Sequence, residues 1–182
     1  FRTRSCPAGS LPSRRSGTPA PAACRRCRRG KAGVPSVVGN GVAFDGKGLL
    51  TVKASPSLSF AKGFTFSAWV KIVEPQKDAW LFSREEDGSG IVVGIRGTKP
   101  YVRVAAGGKA GGKAGGKAVG KAVETKPTGE IPPKGWHHLA VAAEGGRKVT
   151  LYVDGKEASS VPAPAAMPDP VSDVAIADAL KG

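Results

Sequence analysis

The sequence predicts an all-β fold, an antiparallel sandwich of the jelly-roll kind, on three observations. Phe64-Thr65-Phe66-Ser67-Ala68-Trp69-Val70-Lys71-Ile72 alternates apolar and polar without a break, a period of two that would scatter around a helix. Lys148 to Asp154 repeats the pattern, with Val149, Leu151 and Val153 on one face, and Asp154-Gly155-Lys156 then supplies a hairpin turn. Glycine (26) and proline (15) make up nearly a quarter of the 182 residues, and no long stretch has helical periodicity.

In chain order, residues 1–36 read as a basic arm. They hold nine Arg or Lys, no acid, and almost no large apolar residue after Phe1, so they cannot bury enough surface to offset their ordering entropy, and disorder is expected. Cys24 and Cys27 form a CxxC with Cys6 upstream, but a zinc site needs a second pair and a redox motif needs a strand–helix context; Arg flanks them instead. Strand candidates follow at Gly41–Phe44, Leu49–Lys53, Phe64–Ile72, Trp80–Ser83, Gly90–Ile95, Tyr101–Ala105, Trp136–Ala143, Lys148–Asp154, Glu157–Val161 and Val174–Ala177. Turn signals separate them, among them Asp45-Gly46, Asp87-Gly88 and Gly145-Gly146. Within residues 107–126, GGKA occurs three times and VGKA follows. That period is too short for a solenoid unit, and the stretch reads as a low-complexity loop insertion in a sandwich domain spanning 37–182.

The formal net charge is +14, which on its face suggests nucleic acid. The arm accounts for +9 and the Gly/Lys/Ala segment for +4, leaving the strand-bearing body at +1. No specific nucleic-acid partner is therefore expected of the fold; polyanion attachment stays with the two basic segments. No apolar run is long enough for a transmembrane helix. A chain opening on Phe1 reads as a fragment or processed product.

Five segments resemble the laminin-G-like, concanavalin A-like lectin/glucanase jelly rolls in order and spacing. They are Val42-Ala43-Phe44-Asp45-Gly46, Ser55-Pro56-Ser57-Leu58, Phe64 to Lys71, Gly135-Trp136-His137-His138-Leu139-Ala140-Val141, and Val149 to Lys156. The resemblance spans roughly residues 39–180. It implies a non-catalytic binding or adhesion module for carbohydrate or a cell-surface protein, carried extracytoplasmically within a larger protein. A structural spacer and a degenerate glycoside hydrolase are the alternatives. It also implies strands ahead of Phe44-Asp45-Gly46 and at the end of the domain, so one or two edge strands are expected to be missing here.

The same family often binds Ca²⁺ through rim carboxylates, and Asp45, Asp87 and Asp154 lie in turns; calcium is the one cofactor the resemblance allows, with no ligand assigned. A glycosidase needs paired carboxylates, and the acid cluster Glu85-Glu86-Asp87 reads as a solvated turn. His137-His138 are adjacent on a strand, face opposite ways, and cannot readily chelate one ion. The candidate ligand-binding residues are Trp69, on the polar side of its strand, and Arg96 and Tyr101, near a strand–loop rim; Trp80, Trp136 and Tyr152 pose the same choice between packing and stacking.

Overall fold

The computed structural model describes residues 27–106 and 121–178. Among them, eleven strands form two antiparallel sheets. They are β1 (Cys27–Pro35), β2 (Asn40–Val52), β3 (Gly63–Val70), β4 (Gln76–Glu86), β5 (Ser89–Gly97), β6 (Lys99–Ala106), β7 (Lys121–Glu124), β8 (His137–Glu144), β9 (Lys148–Val153), β10 (Lys156–Pro162) and β11 (Val174–Asp178). The larger sheet runs β1-β2-β11-β4-β5-β6-β7 and the smaller β10-β9-β8-β3. A 3₁₀ turn at Pro56–Leu58 links β2 to β3.

Three sequence expectations need adjusting. The last part of the expected arm, Cys27–Pro35, is a strand whose ladder runs from Cys27 opposite Leu50 to Pro35 opposite Asn40. An edge strand needs backbone pairing more than buried side chains, so a Gly- and Lys-containing segment can serve. This strand also fills the place expected to be vacant ahead of Phe44-Asp45-Gly46. Residues 1–26, with Cys6 and Cys24, lie outside the described residues. Secondly, Gly41–Phe44 and Leu49–Lys53, the latter without Lys53, belong to one strand. The ladder steps from Phe44 to Leu49 while β1 advances two residues, so Asp45-Gly46 makes a bulge, with Gly46 at φ 76°, where a turn was expected. Thirdly, the loop insertion is shorter than 107–126. Lys121–Glu124 is β7, with Val123 opposite Val104 and Glu124 opposite Arg103; residues 107–120 lie outside the described residues.

The core lies where the alternating faces meet. Ile91, Val93 and Ile95 of β5 and Val102 and Val104 of β6 pack towards Leu139 and Val141 of β8 and Val149 and Leu151 of β9. Each such side chain contributes about 1.5–3 kcal/mol by leaving water. Phe60, Phe64, Phe66 and Phe82 extend the core as an aromatic cluster with ring centroids 5.4–6.4 Å apart.

Arg84 breaks the apolar pattern. It lies opposite Ile91 on the core-facing side of β4 and is only 4% exposed. Its Nε donates to the Ser172 carbonyl at 3.0 Å, its Nη1 donates to the Leu58 carbonyl, and its guanidinium lies 4.8 Å from the Phe60 ring centre. Asp169 approaches Nη1 at 3.8 Å and accepts from the Ser59 hydroxyl (2.6 Å) and the Phe60 N–H (2.8 Å). One residue thus fastens the loop before β3 to the segment before β11. Arg84→Ala is expected to lower the unfolding free energy by about 3 kcal/mol, because two carbonyls and Asp169 lose a buried partner. Urea denaturation followed by circular dichroism measures it, and a loss within about 0.5 kcal/mol would contradict the anchoring role.

Candidate functional site on the outer face of the larger sheet

With Ile91, Val93 and Ile95 facing inward, the pleat turns Val92, Gly94 and Arg96 to the outer face. The ladders order their neighbours into rows. Trp80, Gly94 and Tyr101 form one row across β4, β5 and β6. Ser83, Val92, Arg103 and Glu124 form the next, and Glu85, Gly90, Ala105 and Ala122 the one beyond.

Gly94 is required by close approach. A Cβ there would stand 2.7 Å from three atoms of Tyr101, whose ring lies across the glycine. Tyr101 is therefore buried, 2% exposed, and its hydroxyl donates to Asp78 Oδ1 at 2.8 Å. Burial, reinforced by Asp78, pushes its pKa up to about 12. The Arg96 guanidinium sits 4.0 Å from the centre of the Tyr101 ring. Its Nη1 and Nη2 donate to both oxygens of Glu124, at 2.5 and 3.3 Å, and its Nε to Asp78 at 3.3 Å. These bonds, Glu124's first, raise the arginine further above its ordinary range against the opposing cost of burial. Arg103 donates to Glu85 at 2.6 Å and lies 5.5 Å from the centre of half-buried Trp80, while its buried Nε has no partner among the described residues. Below Arg103 a groove of about 370 Å³ opens between the β4–β5 turn and Ala105 and Ala122.

Two of the three residues singled out in the sequence, Arg96 and Tyr101, thus meet on one face. Tyr101 is a platform beneath the arginine and not itself a contact surface. Trp69 lies on the other sheet; it is 43% exposed, with its ring 5.2 Å from His138, whose Nε2 is 2.8 Å from the Ser67 hydroxyl. Glu85 is a strand residue paired with Arg103, where a solvated turn was expected, because β4 continues to Glu86. Asp78, Arg103 and Glu124 were missed. The signal for Arg103 was present, since Tyr101-Val102-Arg103-Val104 alternates and places it beside Tyr101.

Among the described residues, no three His, Cys, Asp or Glu side chains gather as a metal site. Asp154 instead holds the β8 entrance. Its Oδ2 lies 2.8 Å from His137 Nδ1, and its Oδ1 accepts the His138 N–H at 2.8 Å.

A laminin-G-type model of the concanavalin A-like lectin/glucanases superfamily matches residues 44–179. The chain belongs to that superfamily. Its sandwich superposes on the binding domain of Paraclostridial Mosquitocidal Protein 1 with a TM-score of 0.66 and 14% identity, covering 81% of this chain and 37% of that one. The binding domain of botulinum neurotoxin DC in complex with SialylT gives a TM-score of 0.59 and 11% identity, covering 84% and 38%. This lectin/glucanase-type domain therefore spans under two fifths of either solved chain, and at these identities the likeness concerns the fold. No curated protein matches the sequence.

Two outcomes test the geometry. Gly94→Val is expected to expel the Tyr101 ring and free Arg96, seen as increased near-ultraviolet tyrosine signal change and solvent-quenchable fluorescence with the far-ultraviolet β signal retained. Asp154 is held below its ordinary value of 3.8, first by His137 and then by the His138 N–H. A carboxylate lowered in this way stabilises the fold fully above its unfolded-state value, and the contribution vanishes as pH falls through the folded value. The stability gap between the wild type and Asp154→Asn should therefore hold from neutral pH down to about pH 4 and narrow as pH falls further, as read from urea midpoints.

Proposed function

We propose that this domain is a non-catalytic carbohydrate-recognition module that binds through the outer face of the larger sheet. The observation that carries the reading is the pair of arginines laid over aromatic rings on one face, Arg103 over half-buried Trp80 and Arg96 over Tyr101, with both guanidinium groups held by carboxylates. Sugar rings offer apolar C–H faces to an indole and hydroxyls to fixed guanidinium and carboxylate groups, so an aromatic flanked by oriented polar groups suits them. Asp78, Glu85 and Glu124 outnumber Arg96 and Arg103, which favours a neutral, hydroxyl-rich glycan over an acidic one.

The same pairing argues against hydrolysis. Glycosidases place two carboxylates across the scissile bond, one as proton donor. Here Glu85 already accepts from Arg103, and Asp78 and Glu124 from Arg96. Structural relatives that are themselves binding domains, one of them in complex with SialylT, support a recognition role. A lectin-type module of this kind would work outside the cytoplasm, meeting glycans as part of a larger protein. No helix among the described residues is long and apolar enough to cross a membrane.

A glycan array followed by titration calorimetry, with calcium and with EDTA, tests the reading. Trp80→Ala should weaken a neutral-glycan hit about tenfold, the equivalent of one lost stacking contact. If Trp69→Ala abolished binding while Trp80→Ala bound as wild type, the assignment of the face would be overturned. Absence of any glycan hit from folded protein would sink the carbohydrate reading itself.

A further inference from the structure

Single apolar side chains dot any protein surface, so a cluster of them is what carries information. Among the described residues six large apolar side chains are exposed, and Trp69, Val73 and Val171 belong to separate parts of the fold. The other three, Val37, Val38 and Val42, fall within the β1–β2 hairpin, at 47%, 76% and 37% exposure. No residue from Lys31 to Gly46 is buried. β11 pairs with β2 only from Leu50 to Val52, so among the described residues the far part of the hairpin is held by its own ladder alone.

A second observation concerns the turn itself. Pro35 stands opposite Asn40, the Ser36 N–H donates to the Gly39 carbonyl at 3.0 Å, and Gly39 takes φ 64°. Val37 and Val38 therefore occupy the two corners of a tight hairpin, where Gly, Asn, Asp, Ser or Pro usually serve. Exposed as they are, they add little to the fold, and a local departure from turn chemistry marks a segment with another use. The third observation is charge. Residues 1–44 hold nine Arg or Lys and no acid, and one of these bases, Lys31, lies on the hairpin.

We infer that the β1–β2 hairpin inserts its valine tip into the headgroup region of an anionic lipid surface, with Lys31 and the basic sequence ahead of it drawn to the lipid phosphates and carboxylates. The shape and the charge both favour lipid over a protein partner. A hairpin tip is convex and offers no groove to a partner's side chains, whereas a bilayer interface deforms around it. The charge is of one sign and sits in a Pro-, Gly- and Arg-rich sequence, which suits the diffuse potential of anionic lipid better than a fixed set of partner groups. An apolar tip beside basic residues supplies the two signals that peripheral attachment needs, since one weak anchor gives only marginal binding.

Flotation of the full chain with phosphatidylcholine vesicles, with and without phosphatidylserine, tests the inference. The protein is expected to float with the phosphatidylserine vesicles and to be released as salt rises. The double variant Val37→Ser/Val38→Ser keeps every charge and should bind about tenfold more weakly. Circular dichroism confirms that it is folded. Insertion is read separately with an environment-sensitive fluorophore on Val38→Cys, in a background where Cys6, Cys24 and Cys27 are serine. Its emission should brighten and shift to the blue on anionic vesicles, while the same label on Ser160→Cys of β10 stays as in water. A serine variant that binds like the wild type would reduce the attachment to charge alone. Folded protein that ignores phosphatidylserine vesicles at low salt would leave the tip to a protein partner. Either result, or a label at position 38 that stays in water on bound protein, overturns the inference. Glycan binding at the outer face of the larger sheet is expected to be unchanged in the serine variant, so the two proposals fail separately.

Discussion

A single buried cation decides how the larger sheet closes. Arg84 stands in a row of aliphatic side chains, and removing a guanidinium from water costs several kcal/mol unless its donors are met. They are met by two backbone carbonyls, an adjacent carboxylate and an aromatic face, drawn from segments more than a hundred residues apart. The consequence is topological. Among the described residues β11 is the last strand in sequence and lies between β2 and β4, so there the halves of the seven-stranded sheet meet through it. The segment that delivers β11 is the one that Arg84 and its neighbours hold: Ser172 by the guanidinium, Asp169 by Ser59 and Phe60, Asp173 by Lys53 and the Ala54 N–H, and Val171 by Glu86. An aliphatic residue at position 84 could fill the space, but it has no directional bonds with which to choose the path of the incoming chain.

The parts of this fold that the sequence revealed are those whose signal is local. The alternation of β3 and β9, the Asp154-Gly155 hairpin and the Asp87-Gly88 turn all appear where expected, the last with both residues at positive φ. β1 and β7 were hidden because edge strands are specified by backbone pairing, and their side chains carry little hydrophobic pattern. The central position of β11 was hidden for another reason. Ala175 meets Thr51 and Ser83, and nothing in a five-residue window encodes a pairing over such a separation. Arg84 was equally silent, since charge alone gives no hint of a buried position.

The same limit explains the candidate site. Parity within one strand assigns a residue to a face, and it correctly put Trp69 opposite its core-facing neighbours. Parity does not say which sheet that face belongs to. The ladders place Trp69 on the smaller sheet, away from Arg96 and Tyr101. The outer faces of the two sheets differ chemically. The larger presents arginine–carboxylate pairs on aromatic rings, and the smaller presents Thr65, Ser67, Ala140, Ala142 and Thr150 with Trp69, His138 and Tyr152, and the Lys148–Glu157 ion pair at its edge. Oriented charge pairs suit recognition of a polar ligand.

Gly94 shows how closely fold and site are joined. The strand that carries it is buried on both faces, with Ile91, Val93 and Ile95 inward and Val92 outward, all nearly without exposure. Tyr101 lies over the glycine because no side chain opposes it, and Asp78 then fixes the hydroxyl. Arg96 rests on the resulting platform with its guanidinium donors divided between Asp78 and Glu124. Each group is positioned by the one beneath it, down to a β-strand packed in the core. The arginine's orientation is thus set by folding, and under the recognition role proposed above the entropy of fixing a long side chain would not be lost at the moment of binding.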